Sequence, residues 1–299
     1  MLIDKRANLL KSNNIMNMKT SKTKTIVFYS KALGIILLMF LVLTNTSCKS
    51  RISSSKNINS KSITVMSYNI HYGYGMDKKL DLPRIANIIL REKADIVGLQ
   101  EISDSIMANE LGRLTNMNVV FGPSIDAKMN RYGDAILSKY PFEWVGNIQI
   151  PSASSSRYQA MAVDINLSEV YGESSIIRFI NTHFDWLETI GSEEARLATI
   201  DVIERKFFDD KKIPAILTAD LNAYPDGPIL KKMGKYGWVN ENLGRTLLTS
   251  WLEDDVATQQ IDYVLFRPKK RWLVDDVKVI EEPTASDHFP IIMKLKLIK

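Results

Sequence analysis

The chain has three histidines, and each falls in a short polar motif that closes an apolar stretch. His71 lies in SYNIHYG, His183 in NTHFDW and His288 in SDHFP. Each has an Asn or Asp within two residues. Two further segments are of the same kind: GLQE, ending at Glu101, and ADLNAYPD, which holds Asp220 and Asn222. Polar groups clustered at strand ends are costly to bury, so they line a site at one edge of a sheet.

The side chains on offer are Asn69, Glu101, Asp185, Asp220, Asn222, Asp262, Asp287 and the histidines. A set rich in oxygen ligands suits Mg²⁺ or Mn²⁺, which keep several waters and bind one or two carboxylates together with substrate phosphate. Zinc prefers more nitrogen and sulfur, and no HExxH or CxxC is present. The chain has no Walker lysine loop, no GxGxxG and no GxSxG, which argues against nucleotide-binding loops and a serine-hydrolase elbow.

The elements that must position these residues can be read from the pattern. Residues 63–70 alternate and are β-rich, as a strand does. Asp81 can cap a helix running to about residue 93, with Pro83 in its first turn and Ile85, Ile88 and Ile89 on one face. Residues 94–99 form a buried strand leading to Gln100 and Glu101, and a second helix runs to about Leu114. Strands follow at 118–121, 134–137, 144–150, 160–167 and 175–182. Residues 193–208 have helical periodicity, and strands at 214–218, 261–266, 272–280 and 290–297 close the chain. Helices alternating with runs of strands imply sheets with helices packed outside; periodicity does not give the number of sheets.

With 299 residues, 45% apolar and 24% charged, the chain can build one large domain or two small ones. Residues 62–299 carry no internal linker or repeat and read as one domain. The pI near 9.0 belongs to the leader. Residues 1–47 hold seven basic side chains and one acid, a local charge of +6 against +5 for the whole chain, which leaves about −1 for the remainder. Net charge therefore gives no argument for nucleic acid. The leader reads as a signal peptide: basic residues up to Lys31, then an apolar run over 32–43, too short to span a bilayer comfortably. Met18 is the expected true start. Cys48 is the sole cysteine, so a disulfide within the chain is impossible. It follows small polar residues, like a bacterial lipoprotein processing site, although Asn45 stands where Leu is usual. Residues 48–61 are then a lipidated cysteine and a flexible tether, and the expected location is the periplasm or the outer membrane of a bacterium. No obligate protein partner is evident.

The ordered motifs resemble the endonuclease/exonuclease/phosphatase superfamily of metal-dependent phosphoesterases, over essentially all of residues 62–299. The resemblance implies a four-layer α/β sandwich of the α+β class, two mostly antiparallel sheets face to face with helices outside. It implies Mg²⁺ (or Mn²⁺) as cofactor and hydrolysis of a phosphodiester, or a phosphomonoester, by attack of metal-activated water. Glu101 matches the principal metal-binding glutamate, Asn69 the asparagine that positions metal and phosphate, and Asp287 a second metal-site acid. Asp220 and Asn222 match the Asp-x-Asn pair that aligns the nucleophile and holds a phosphate oxygen. His288 matches the general base or transition-state stabiliser, Asp262 the carboxylate that orients it, and His183 the phosphate-contacting histidine and candidate general acid. The substrate classes left open are a phospholipid headgroup, a small phosphorylated metabolite and nucleic acid. The alternatives are an exported nuclease and a catalytically silent surface binding protein of the same fold.

Some positions depart from the commonest pattern. Asp134 stands where many relatives have Asn, able to add charge near the metal or to pair with Arg131. Asp185-Trp186 follows His183 where some members carry a second histidine. Gln259-Gln260 precedes Ile261-Asp262 where arginine is frequent. His71 reads equally well as a structural histidine. Arg157, in the serine-rich loop, could bind phosphate but is expected in solvent; Glu193, Glu194 and Arg196 are expected on a solvated helix face, and Tyr72, Tyr74 and Trp186 either at the pocket wall or in the core.

Overall fold

The computed structural model describes residues 61–124, 132–172, 174–208, 213–244, 250–253 and 256–298. The expected signal peptide, Cys48, all of the tether but Lys61, and Arg131 lie outside these residues.

Among the described residues the strands are β1 (Ile63–Asn69), β2 (Ile96–Ile102), β3 (Asn118–Pro123), β4 (Gly133–Ser138), β5 (Phe142–Ile150), β6 (Tyr158–Asn166) and β7 (Ile176–His183). Then come β8 (Ala215–Asp220), β9 (Val239–Asn240), β10 (Trp251–Glu253), β11 (Val256–Gln259), β12 (Asp262–Arg267), β13 (Trp272–Val279) and β14 (Ile291–Leu297). One six-stranded sheet has the order β13-β14-β1-β2-β4-β3 and the other β5-β6-β7-β8-β12-β9, with β10 and β11 as a separate pair. Three hydrophobic layers follow. Ile63, Val65 and Ile96 of the first sheet meet Phe179, Ile216 and Val264 of the second. The outer face of the first sheet (Met66, Val97, Leu99) packs on Ile85, Ile88 and Leu111. The outer face of the second (Ala162, Ile180, Leu217) packs on Ile200, Ile203 and Met233. The architecture is the expected four-layer α/β sandwich of two mostly antiparallel sheets.

Only β1–β2 and β7–β8 pair in parallel among the described strands. A parallel pair needs a crossover, here the helices Leu82–Arg91 and Ile190–Phe207. Asp81 Oδ1 caps the first, accepting from the Arg84 N–H at 2.9 Å, and Thr189 Oγ1 caps the second, accepting from the Ser192 N–H at 3.1 Å. Each crossover brings two C-terminal strand ends side by side, with Asn69 beside Gln100 and His183 beside Asp220.

The inner faces explain where the polar motifs gather. Side chains alternate along a strand. The inward series on β1 is Ile63, Val65, Ser67, Asn69; on β7 it is Ile177, Phe179, Asn181, His183; on β8 it is Ile216, Thr218, Asp220. Each series is apolar at one end and polar at the other, with every member buried. The seam between the sheets is thus a hydrocarbon core that turns into a polar network toward one rim. In that network Asn181 accepts from Gln100 Nε2 at 2.6 Å and from Thr218 Oγ1 at 3.0 Å, and donates to the carbonyls of Leu99 and Ala135. Gly98 lies under it, where an added Cβ would overlap Thr218 Oγ1 and Asn181 Oδ1.

The sequence reading placed most elements within a few residues. It missed the helix Pro228–Lys235, the short helix Ser168–Tyr171 and the short strands β9, β10 and β11. Strand β2 runs past the expected residue 99 to Ile102, so Glu101 lies within the strand. Arg196 is not on a solvated face. It is buried, and its Nη1 donates to the carbonyls of Asp185 at 2.7 Å and Leu187 at 3.0 Å.

Candidate active site

The polar rim opens into a cleft of about 1370 Å³ whose lining includes Glu101, His183, Asp220, Asn222, Asp287 and His288. Glu101 reaches it through backbone distortion. Its φ is +59°, and the β2–β4 register shifts between Leu99 and Ile102. Such a bulge re-aims a side chain that regular alternation would point elsewhere.

Asn69 ties the two sheets together at the rim. Its Nδ2 donates to Glu101 Oε1 at 3.2 Å and to Asp220 Oδ2 at 3.1 Å, while its Oδ1 accepts from the His71 N–H at 3.0 Å. The backbone donor at Oδ1 fixes which end of the amide faces the carboxylates. Asp220 Oδ1 accepts from the Asn222 N–H at 3.0 Å, turning the chain sharply after β8.

Asp262 begins β12 directly opposite Asp220 in the antiparallel register. Its Oδ2 lies 2.8 Å from His288 Nδ1, and His288 Nε2 lies 3.8 Å from Asp220 Oδ2. All three residues are buried. Burial alone would lower the pKa of His288; the adjoining Asp262 carboxylate, with Asp220 and Asp287 beyond it, outweighs that and raises it to about 10. Burial, then the charge of Asp262, pushes the Asp220 carboxyl up. Ser250, which the sequence did not suggest, holds this corner. Its Oγ accepts from the Asp262 N–H at 3.2 Å, and its carbonyl accepts from the Phe289 N–H at 2.6 Å.

His183 is buried at the end of β7, edge-on to Tyr158 with ring centroids 5.1 Å apart. Burial lowers its pKa despite the nearby Glu101 charge. Its Nε2 lies 3.2 Å from Asn222 Nδ2 and its Nδ1 3.1 Å from the Tyr132 hydroxyl. His71 lies at the cleft with Nδ1 3.9 Å from Asp287 Oδ1. Tyr72 and Trp186 line the cleft, exposed rather than in the core, while Tyr74 is exposed outside that lining. Arg157 is exposed and lines the cleft as well.

Asn69, Glu101, His183, Asp220, Asn222, Asp262 and His288 are therefore joined by direct contacts, with Asp287 on the same cleft. Asp185 is not among them. It turns away, and its Oδ2 accepts from Ser152 Oγ at 2.9 Å, the Ala153 N–H at 2.6 Å and the Ser154 N–H at 3.0 Å. Asp134 lies on the inner face of β4, fully buried, and among the described residues neither carboxyl oxygen makes a hydrogen bond of good geometry, the Glu101 backbone and the Gln159 side chain being the nearby donors. Burial and then the Glu101 charge push its pKa well up. Its expected pairing with Arg131 lies outside the described residues.

The donor set fits a hard divalent cation. Glu101, Asp220, Asp262 and Asp287 crowd one rim, and among the described residues no Lys or Arg joins the contacts that bind them into the site, which come from histidines, the Asn69 amide, the Asn222 N–H and the Ser286 hydroxyl. Asp262 Oδ1 is buried without a partner among the described residues. Asp220, Asp262 and His288 also present ligand-type atoms within 4.8 Å of one another.

Residues 66–288 match the model of the Endonuclease/Exonuclease/phosphatase family, and the chain belongs to that family. Solved structures agree in fold. A family member from Bacteroides thetaiotaomicron superposes with a TM-score of 0.66 at 18% identity, over 80% of this chain and 98% of that one. A mannosyl-6-phosphatase of the same organism gives 0.62 at 19% identity, over 78% and 99%. The human Nocturnin catalytic domain with bound sulfate gives 0.63 at 20% identity, over 80% and 94%. No curated protein matches the sequence.

Proposed function

We propose that the chain is a phosphoester hydrolase that works with Mg²⁺ or Mn²⁺. The observation that carries this reading is the buried Asp262–His288–Asp220 chain facing the same cleft as Glu101 and Asp287. Asp262 fixes the Nδ1 proton of His288 and turns Nε2 toward the cleft. The protonated ring then stabilises negative charge growing on the phosphoryl oxygens. Asp220, beside it, accepts a hydrogen bond from the attacking water and aligns it. Asn222 and His183, in contact at 3.2 Å, fix each other in the cleft wall against which the phosphate sits. A divalent ion held by Glu101 and Asp287 would neutralise phosphoryl charge. Asn69 reaches the carboxylates through its nitrogen, so in this reading it holds Glu101 and Asp220 in register.

The cleft is far larger than a bare phosphate needs, and exposed Trp186 and Tyr224 add aromatic surface to its lining. The substrate therefore carries a sizeable organic group beside its phosphate, and a phosphodiester is the first class to test. The mannosyl-6-phosphatase of like fold makes sugar phosphates the second. We further propose export and lipid anchoring through Cys48, supported by the leader; incorporation of labelled fatty acid that survives Cys48→Ser would refute the anchor.

The test is hydrolysis of bis(p-nitrophenyl) phosphate and p-nitrophenyl phosphate by the purified full chain with Mg²⁺ or Mn²⁺, and again with EDTA. Metal-dependent turnover that is lost in His288→Ala supports the reading. Failure on both compounds, and on a panel of lipid headgroup, nucleotide and sugar phosphates, would favour a silent binding protein of the same fold.

A further inference from the structure

The orientation of the Asn222 amide decides which nitrogen of His183 carries its proton. Asn222 Nδ2 lies 3.1 Å from the Phe184 carbonyl and 3.2 Å from His183 Nε2. An amide oxygen facing the Phe184 carbonyl would set two acceptors against each other, so the NH₂ group must face it. Its second hydrogen then points at Nε2. An Nε2–H there would oppose donor to donor, so Nε2 is the bare nitrogen and the ring is neutral with its proton on Nδ1. That proton points at Tyr132, whose hydroxyl oxygen lies 3.1 Å away. An oxygen that accepts from Nδ1–H is left with its own O–H to donate elsewhere. Tyr132 lines the cleft, its ring 5.7 Å from that of Tyr72.

We propose that Tyr132 positions His183: its oxygen accepts a hydrogen bond from Nδ1–H, which keeps Nε2 as a hydrogen-bond acceptor, and its own O–H turns into the cleft as a donor to a substrate phosphate oxygen. His183 then serves to hold phosphate-binding groups in place, and does not deliver a proton from Nε2 to the leaving group. Glu101 Oε1, 4.0 Å from Nδ1, favours the same tautomer more weakly from farther away; Asp220 Oδ2, 3.5 Å from Nε2, is the competing partner. It would win if the proton sat on Nε2 and the tyrosine donated to Nδ1. The tautomer stands on geometry alone, whereas its consequence for turnover rests on the phosphoester reading.

The experiment is long-range ¹H–¹⁵N correlation of the histidine rings in the full chain. With three histidines, His71→Gln and His288→Gln suffice to assign His183. The expected result is a protonated Nδ1 and a bare Nε2 in the wild type. In Tyr132→Phe, which keeps the ring, that preference relaxes toward a mixture of tautomers. A wild-type ring protonated on Nε2, or a Tyr132→Phe spectrum identical to the wild type, would overturn the proposal. In turnover, Tyr132→Phe should lower kcat about 10- to 100-fold, as loss of a partner that orients an active-site histidine does, with KM changed less. An unchanged kcat in an active enzyme would refute the donor role. An inactive wild type would speak against the phosphoester reading and leave the ring spectra to judge Tyr132.

Discussion

Asp220 and Asp262 face each other as cross-strand partners in the β8–β12 pair, two carboxylates on one buried face with His288 reaching both. Like charges placed opposite on adjacent strands repel. The arrangement holds because a protonated His288 sits 2.8 Å from Asp262 and within 3.8 Å of Asp220. Fold stability and site chemistry are thus coupled through one proton.

That coupling has a sign. The folded pKa of His288 is raised above its ordinary value of 6.5 to about 10. Its contribution is fully present below 6.5 and is lost as pH rises from there through about 10. With EDTA present, the wild type should lose on the order of a few kcal/mol of stability across that window. Asp262→Asn, which removes the charge that raises the pKa, should start less stable and lose much less. Urea unfolding at pH 6, 8 and 10 reads this out; parallel slopes for the two proteins would refute it.

Asp134 presents the opposite case. Its folded pKa is raised, with burial as the largest cause. An acid raised in the folded state subtracts stability as pH climbs above its unfolded value of 3.8. Relieving a buried unsatisfied group is worth roughly 1–3 kcal/mol. Asp134→Asn should therefore stabilise the protein by about that much at pH 7.5 and by less at pH 4.5, as an amide can donate where the acid's oxygens have no well-placed partner. Thermal melts at the two pH values check it. A variant less stable at both would refute the reading of Asp134 as an unsatisfied buried acid.

Much of this was legible in the sequence, because the period-two pattern that builds the seam also aims the site. Ile63, Val65, Ser67 and Asn69 form one inward series, as do Ile216, Thr218 and Asp220. The same parity applied to β4 and β6 would have put Asp134 and Gln159 on the inner face. What parity could not supply was anything that depends on a break in it. Glu101 enters the cleft through a bulge at positive φ, which no alternation predicts. Asp185 sits in a motif whose neighbours are site residues, yet the loop after β7 turns it toward the serines. Arg196 reads as a surface residue because its partners are backbone carbonyls, which leave no mark in composition.

Gly98 tests the polar seam beneath the site. A Cβ there would collide with Thr218 Oγ1 and Asn181 Oδ1, and overpacking of this kind costs about 1–3 kcal/mol. Gly98→Ala should lower stability by that amount. Because Asn181 anchors the end of β7, activity should fall as well. Gly98→Ala combined with Thr218→Ala opens space on one side and should recover part of the lost stability. A double variant no more stable than the sum of the two single changes would show that the contact is not the cause.

Asp185 shapes the cleft wall through the serine loop. Burial opposes its charge, but the backbone N–H groups of Ser154, Leu187 and Ala153 and the Ser152 hydroxyl outweigh that and hold its pKa below the usual 3.8. These bonds pin residues 152–154, just before Ser155, Ser156, Arg157 and Tyr158, which line the cleft. Asp185→Ala should free the loop, raising KM by about tenfold, an order set by the lower end, about 1.5 kcal/mol, of a hydrogen bond to a charged group, while kcat changes less. Asp185→Asn keeps acceptor oxygen for part of the set and should fall between. Because a lowered acid pKa stabilises above the unfolded value and is lost as pH falls through the folded one, the wild-type loop should hold at pH 5 and weaken progressively only as pH falls below 3.8. Limited proteolysis at the serine loop with an acid protease, followed from pH 5 downward to about pH 2, traces the loosening directly. Equal cutting of wild type and Asp185→Ala at pH 5 would show that the loop is pinned by something else.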